Sequence, residues 1–563
     1  MIQLRSLILA LLLIVPAALG AASPLYTFAE AHHRVADKKD DVTRGNYVGV
    51  IDDGYQALVL RVHLIRAARH TIDIQTFILE NDECGRLLMY ELIQAAARGV
   101  KVRLLADHFM SSKDRDFVAF LATAHPNFEL KYYRPPAKQI DPDTISLAVS
   151  HVLFFRGQNQ RMHNKLFLID NMIALMGGRN IDNHYYNHSL TYNFLDRDAL
   201  VIGPLLPDIG ESFEEFWKDR RSIPAANLLD VARVIERNEF NRPADRAGYN
   251  LNGFFDDVDA DASNGDYIRT RFVDRFYRAD KAWFNWDPPG KNSSIGIWGG
   301  GRHTKEVRDV MRGTESSLVI QSPYLILDRS ARWMFRRMRK RNPTMDIIVA
   351  TNSFAATDNT LAYSANFKLR SVYIEKLQFQ VHEIKPHPED LLARLPNYAD
   401  LERRALEKSS GKPFVSIHAK SFVRDARIAY IGTFNIDPRS ENLNSEMGLF
   451  VEDARVAKAV QESILSTTGA GSSWVIAKRQ VPLAEVNALL EGLSGLSPVD
   501  IWPLKNTSSF ELIPGKEPVP TDHEDFYANY RSVGSFPGSD GVSSKEIVTY
   551  LYKVMNTLAI PLM

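Results

Sequence analysis

Apolar and polar positions along the chain alternate between helical and strand-like periods. Tyr55–Arg69 carries apolar residues at helical spacing, and Thr71–Ile78 reads as a strand. Gly85–Arg98 reads as a helix stopped by Gly99, and Val100–Asp107 as a second strand. The same order returns later: Ser317–Gln321 a strand, Ser330–Arg341 a helix, Met345–Thr351 a strand. Strand–helix–strand units of this length imply parallel pairing, so each half is expected to be a mixed sheet with helices on its faces. Two more apolar runs, Met162–Ile169 and Ile417–Val423, read as buried strands. A short turn follows each, Asp170-Asn171 or Asp425-Ala426-Arg427, and then a second apolar run, Ile173–Met176 or Ile428–Ile431. That pattern is a hairpin in both places. Irregular stretches precede the hairpins at about Pro135–Gln160 and Pro386–Pro413, and loops of this kind suit the lining and cover of a pocket.

The hairpins share their polar residues. His163, Lys165, Asp170, Gly177, Asn180 and Asp182 return 255 residues later as His418, Lys420, Asp425, Gly432, Asn435 and Asp437. One H-x-K-x-x-x-x-D match is weak evidence in a long chain. Two in register, each followed by Gly-x-x-Asn at the same offset, mark a duplicated half-site. Residues two apart on a strand share a face, so His163 is expected beside Lys165, and His418 beside Lys420. Asp170 and Asp425 lie in the turns, where Asp bonds its own backbone, and are read as mainly structural. Gly177-Gly178-Arg179-Asn180 and Gly432-Thr433-Phe434-Asn435 bring an amide donor back toward the His–Lys face.

Two imidazoles, two ammoniums and two amides around one pocket suit phosphoryl transfer in two steps. One neutral His attacks phosphorus and forms a phosphohistidine. The other, protonated, donates to the leaving alcohol and then acts as base on the acceptor. Lys165, Lys420, Asn180 and Asn435 are expected to hold the non-bridging oxygens. The two rings need opposite protonation states, so activity should be bell-shaped in pH. The scheme calls for no metal and no cofactor.

These residues resemble the phospholipase D superfamily, whose signature is this doubled His-x-Lys-x(4)-Asp. Arg161–Lys165, Gly177–Ile181, Asp437–Ser440 and Asn444–Gly448 are more narrowly similar to bacterial cardiolipin synthases of type C. The likeness runs from about Val48 to about Asp453. It implies a phosphohistidine on one His and a carboxylate, a little past the motif, that orients an imidazole. Glu446 fits that position. Asp196 is its expected counterpart, because Asp196–Val201 parallels Glu446–Val451, and Asp198 is the alternative. His163 is assigned as nucleophile and His418 as acid, although the pseudo-symmetry makes the roles nearly interchangeable. One departure concerns Ser364-Ala365-Asn366-Phe367, where type C relatives usually carry His-Ala-Gly-Tyr. If that segment lines a substrate pocket, the substrate pairing differs. The resemblance implies phosphatidyl transfer on phospholipids at a membrane surface, giving cardiolipin from phosphatidylglycerol and/or phosphatidylethanolamine. The alternatives are a phospholipase D releasing phosphatidic acid, a nuclease, and a non-enzymatic lipid-binding scaffold.

Composition adjusts this picture little. The 563 residues are 45% apolar and 24% charged, ordinary for a soluble fold, and the repeat argues for two halves sharing one site. A formal net charge of zero and a pI near 7.3 provide no global field for nucleic acid, which counts against a nuclease. Met1–Arg5, the apolar Leu7 to about Gly20 and the small residues to Ala22 read as an export signal, shorter than the roughly 20 residues a spanning helix prefers. Cys84 is the single cysteine, which is compatible with export to a bacterial periplasm without a disulfide. The expected layout is a signal over 1–22, a first half over 23–241, a linker and surface excursion over 242–294, a second half over 295–475 and a tail over 476–563. Three other features invite functional readings. Asp257-x-Asp259-x-Asp261 opens like a calcium loop but lacks its Gly and closing Glu. Asp182, His184 and His188 are read as a loop beside the site rather than metal ligands, and Trp333–Arg341 as a packed helix rather than a membrane foot.

Overall fold

A computed structural model describes residues 23–33, 41–142, 159–251, 255–292, 299–480 and 506–539. The export signal therefore lies outside the described residues, as does much of the first irregular stretch. Two large sheets organise the chain. The first is built from β1 (Tyr47–Ile51), β2 (Thr71–Thr76), β3 (Lys101–Asp107), β4 (Phe128–Tyr133), β5 (Leu166–Ile169), β6 (Ile173–Gly177), β8 (Asp198–Ile202), β9 (Ser222–Pro224) and β10 (Tyr277–Arg278). The second uses β11 (Lys281–Trp286), β12 (Ser317–Gln321), β13 (Asp346–Asn352), β14 (Gln380–Ile384), β16 (Lys420–Arg424), β17 (Ile428–Gly432), β18 (Met447–Glu452), β19 (Ser473–Lys478), β20 (Thr507–Leu512) and β21 (Tyr530–Gly534).

The topology repeats strand for strand. The order β1-β8-β6-β5-β2-β3-β4-β9 in the first sheet matches β11-β18-β17-β16-β12-β13-β14-β19 in the second. Three central strands of each are parallel, β2-β3-β4 and β12-β13-β14. The motif-bearing hairpins, β5–β6 and β16–β17, run antiparallel beside them. The chain is thus a mixed α/β protein of two pseudo-symmetric halves, as the hydropathy pattern predicts.

Why the hairpin strands are apolar on both faces is visible in the packing. Phe167, Ile169 and Leu175 enter an outer core beneath the first half's helices, while Leu166, Leu168, Ala174 and Met176 enter a core between the sheets. The second hairpin does the same: Ala429 and Ile431 face the shared core, and Phe422 and Tyr430 the outer core of the second half. Alternate residues of one run therefore serve two cores. Both turns place two residues at positive φ, Asp170 and Asn171 at 51° each, and Asp425 and Ala426 at 52° and 50°. Ile169 pairs with Ile173 and Arg424 with Ile428, so each hairpin closes over three residues, the first two left-handed.

Several expected boundaries are corrected. The linker assigned to 242–294 is, in its described residues, integrated structure. It contains helices Asp256–Ser263 and Gly265–Arg271, whose Val258, Ala262 and Ile268 enter the first core, and it supplies β11 to the second sheet. Within it Asp259 pairs with Arg66 and Arg246, and Asp261 accepts the Tyr55 hydroxyl. The tail read from 476 onward completes β19 and adds β20 and β21 to the same sheet. Pro386–Pro413 is not irregular: it holds helices Leu391–Arg394 and Tyr398–Glu407, seated by Leu391, Leu395, Tyr398 and Leu401 at helical spacing. The helix Arg329–Arg341 packs Met334, Phe335 and Met338 inward and leaves Trp333 58% exposed under Arg337.

Candidate active site

The predicted strands around the two histidines are shorter than their apolar runs. β5 starts only at Leu166, and β16 at Lys420, so His163 and His418 precede the ladders rather than lie within them. Each is held instead by backbone pairing with the opposite half. Met162 bridges Ser445, with the His163 amide donating to the Ser445 carbonyl (3.0 Å) and the Ser445 amide to Arg161 (2.9 Å). On the other side, β7 (Tyr192–Leu195) pairs in parallel with β15 (Phe414–Ile417), and the His418 amide donates to Leu195 (2.9 Å).

This crossing places each carboxylate against the other half's imidazole. Glu446, one residue past Ser445, meets His163 Nδ1 at 2.8 Å. Asp196, one residue past Leu195, meets His418 Nδ1 at 2.6 Å. The alternative, Asp198, touches neither histidine; it is ion-paired with Arg61 (2.9 Å) and Arg179 (3.3 Å). With Nδ1 of both rings engaged, Nε2 of each is the atom presented to chemistry.

Lys165 and Lys420 are nearly fully buried, and each ammonium donates to the carbonyl of its own histidine, at 2.6 Å for Lys165. The charges act across the halves. Burial, then Lys165 and Lys420, hold His163 well below the usual imidazole range. Burial and Lys420 push His418 down to about 3, opposed by Asp196. Burial and Lys420 depress Lys165, and burial brings Lys420 down to about 8. Burial and mutual repulsion thus disfavour positive charge in the pocket, and an anionic phosphodiester there would relieve this.

The carboxylates differ. Burial favours protonation of Asp196, but His418, Lys420 and Arg179 outweigh it and hold the group well below the carboxylate range. Burial raises Glu446 to about 7, against Lys291 and the Thr433 hydroxyl. The residue behind each is different too. Gly178 gives Asp196 room, since a Cβ there would lie 2.0 Å from its Oδ1, whereas Thr433 at the equivalent place bonds Glu446.

Asp170 and Asp425 are removed from the catalytic set by their contacts. Asp170 accepts the amides of Arg69, His70 and Thr71 (2.6–2.8 Å) and the Tyr26 hydroxyl. Asp425 accepts those of Glu315, Ser316 and Ser317 (2.7–3.1 Å). Both lock the hairpin turn to the start of a central strand, β2 or β12. The asparagines also part company. Asn180 is spent on the Phe77 and Ile78 amides (3.2 and 3.1 Å) and on the Tyr185 hydroxyl (2.7 Å), so it shapes the wall rather than meeting phosphate. Asn435 Oδ1 is buried without a hydrogen-bond partner.

Residues not assigned from sequence complete the pocket. Phe77 meets His163 edge-on, and Tyr185 and Phe194 flank His418, the Tyr185 hydroxyl 3.4 Å from Nε2. Asn352 clamps Ile417 through both its amide and its carbonyl, fixing the residue before His418. Of Ser364–Phe367, Phe367 joins Tyr363 and Phe536 in a small apolar cluster. Asp182 caps the turn Asn183–Tyr185 and pairs with His184 at 2.5 Å. No group of three or more metal-ligand side chains is arranged around a common point among the described residues.

Two mixed sheets sharing a pair of crossed His–carboxylate couples and two buried lysines define a phosphoryl-transfer enzyme of phospholipase D type. The family model described as cardiolipin synthase, phospholipase D-like domain matches residues 62–217 and 307–467, and the chain belongs to that family. It is 28% identical over 430 residues to cardiolipin synthase C of Escherichia coli K12, spanning 74% of this chain and 84% of the relative. An uncharacterised protein of Helicobacter pylori 26695 is 30% identical over 74% of this chain and 78% of its own length. Among solved structures, phosphatidylserine synthase of Haemophilus influenzae Rd KW20 shares the fold, with TM-score 0.50 and 14% identity over 75% of this chain and 86% of that one.

Proposed function

We propose that the chain is a phosphatidyltransferase making cardiolipin. His163 Nε2 attacks the phosphorus of a phospholipid donor, forming a P–N bond as the P–O bond to the head-group alcohol breaks. His418, protonated, gives its proton to that leaving oxygen. The hydroxyl of phosphatidylglycerol then loses its proton to His418 and attacks phosphorus, so that a P–O bond replaces P–N. The crossed couples carry this reading. Burial and the two lysines hold both rings neutral in the pocket. Asp196, held ionised, opposes this at His418, so that the charge of a bound phosphodiester lets that ring take a proton. Glu446 accepts from Nδ1–H of neutral His163 and leaves the Nε2 lone pair available. Lys165, Lys420 and Asn435 face the non-bridging oxygens in this scheme. Exposures of 6% for His163 and 7% for His418 support transfer to a lipid alcohol rather than to bulk water. The export signal suits work at the periplasmic face of a membrane; no helix of the described residues is long and apolar enough to cross one.

The reading is tested by incubating purified enzyme and chelator with vesicles of labelled phosphatidylethanolamine and phosphatidylglycerol. Cardiolipin from wild type, and none from His163→Ala or His418→Ala, is the expected result. Phosphatidic acid in its place would make the chain a hydrolase, and loss of activity with chelator would remove the metal-free scheme.

A further inference from the structure

The antiparallel pairing of β11 with β18 ends at Trp286 and Met447, and one step beyond it Asp287 stands opposite Glu446. Their backbones still pair: the Asp287 amide donates to the Glu446 carbonyl at 2.8 Å. The Glu446 amide, in return, donates to Asp287 Oδ2 at 3.2 Å. The chain then turns through Pro288, Pro289 and Gly290, and Lys291, at φ +64°, sends its ammonium back under the strand end. That ammonium spends all three protons, on Asp287 Oδ2 (2.7 Å) and on the carbonyls of Ser440 (2.8 Å) and Asn444 (2.8 Å). Both side chains of the pair are fully buried. The other Asp287 oxygen accepts the His303 amide at 2.9 Å and so caps the helix Arg302–Arg312. Gly301 allows the close approach, since a Cβ there would lie 2.1 Å from Asp287 Oδ1.

Such a pair is costly to bury and is not explained by stability alone; apolar residues of like size usually serve a core as well. Apart from the bond to the His303 amide, its contacts converge on one loop, 440–446, which delivers Glu446 to His163. We infer that Asp287 and Lys291 are positioning residues of the active site, which fix the Glu446 strand end and supply the counter-charge that keeps Glu446 an acceptor for His163 Nδ1. Neither residue touches the reacting atoms. The first half builds its equivalent differently, from Arg179, which donates to the Asp196 carbonyl at 2.6 Å, and from the Arg197 amide on Asp196 Oδ1 at 2.7 Å. Lys291 is also the strongest influence opposing burial at Glu446. Removing its charge lets Glu446 hold a proton to higher pH, and the Glu446–His163 couple then titrates higher.

The inference rests on the reading of His163 as an active imidazole, and its test keeps the two separable. Full-length Lys291→Met is compared with Asp287→Asn/Lys291→Met, which removes both charges so that neither is stranded and which decides the matter if the single variant does not fold. Two quantities are followed: vesicle turnover against pH, and the pH dependence near neutrality of the His163 Cε1 resonance in 13C-histidine protein, assigned with His163→Asn. The expected result is a fall in kcat of about tenfold or more with KM nearly unchanged, and a midpoint at His163 raised by about one pH unit. A folded variant with the wild-type midpoint overturns the role, whether its kcat is kept or lost. So does a rise in KM with kcat and midpoint preserved. The resonance is read without turnover, so a wild type inactive on lipid would defeat the functional reading while this one is still decided.

Discussion

The two halves have the same strand order, the same hairpin and the same motif, yet they support their carboxylates in opposite ways. In the first half, Asp196 sits against Gly178, is tied through its backbone to Arg179 and lies within reach of Lys420, and it stays ionised. In the second, Glu446 is enclosed by Thr433 and by the Asp287–Lys291 pair and is raised to about 7. A symmetric backbone with unequal supports places an ionised carboxylate behind one ring and a carboxyl raised to about 7 behind the other. Since the couples are crossed, each half tunes the histidine of the other, and neither half is a complete site. In the proposed reaction, a nucleophile and an acid are drawn in this way from one duplicated motif.

The most severe way to break this comparison is to delete one ring at a time. His163→Ala and His418→Ala should each lose about 10⁴-fold in turnover of a natural phospholipid. With a p-nitrophenyl phosphodiester, whose leaving group needs no proton, His418→Ala should regain formation of the covalent intermediate and His163→Ala should not. Burst kinetics of nitrophenolate release would report it, and recovery in the opposite variant would exchange the roles.

Removing the supports should be milder and unequal. Asp196→Asn, which withdraws an ionised partner from the acid, should cost about 10²-fold or more in kcat, and Glu446→Gln about tenfold. Equal losses would mean that the difference between the couples does not reach the chemistry.

Stability against pH offers a third comparison. Glu446 has a folded pKa raised from 4.5 to about 7, so its contribution is fully present below its unfolded pKa and is lost as pH climbs through 7. Glu446→Gln should therefore match wild type near pH 5 and gain roughly 2 to 3 kcal/mol over it at pH 8, while losing activity. Asp196, depressed in the fold, has the opposite sign: its contribution is present above its unfolded pKa and fades on acidification. Asp196→Asn should lose stability at neutral pH. Denaturant melts at both pH values would show a crossing pattern, and parallel curves would contradict it.

The smallest effect is expected in the turns. Asn171 suits the left-handed conformation, whereas Ala426 at φ 50° does not, so Ala426→Gly should stabilise the protein by about 0.5 to 1 kcal/mol. Urea midpoints of the two proteins suffice to check this.

The repeat, the hairpins and the parallel units were legible in the chain because they rest on local periodicity and on spacing. The positions of Glu446 and Asp196 against the imidazoles were anticipated through the family resemblance. Their crossing was not, because nothing local says that Leu195 will pair beside Ile417, or Met162 beside Ser445. Asp287 and Lys291 left no signal in a stretch whose Gly, Asp and Asn content marks it as linker. The helix Tyr398–Glu407 did leave one, in Tyr398, Leu401 and Ala405, which its polar neighbours and flanking prolines obscured. Asn180 and Asn435 occupy equivalent positions and so seemed equivalent; the partners that divide them, Phe77, Ile78 and Tyr185, come from other parts of the fold.

One measurement addresses the crossed site most directly. Enzyme lacking the acid, His418→Ala, is mixed with a p-nitrophenyl phosphodiester, quenched in alkali to preserve phosphohistidine, digested and sequenced by mass spectrometry. The account predicts a single phosphoryl adduct on His163 that Glu446→Gln forms more slowly. An adduct on any residue other than His163, or rapid nitrophenolate release with no adduct at all, would contradict it.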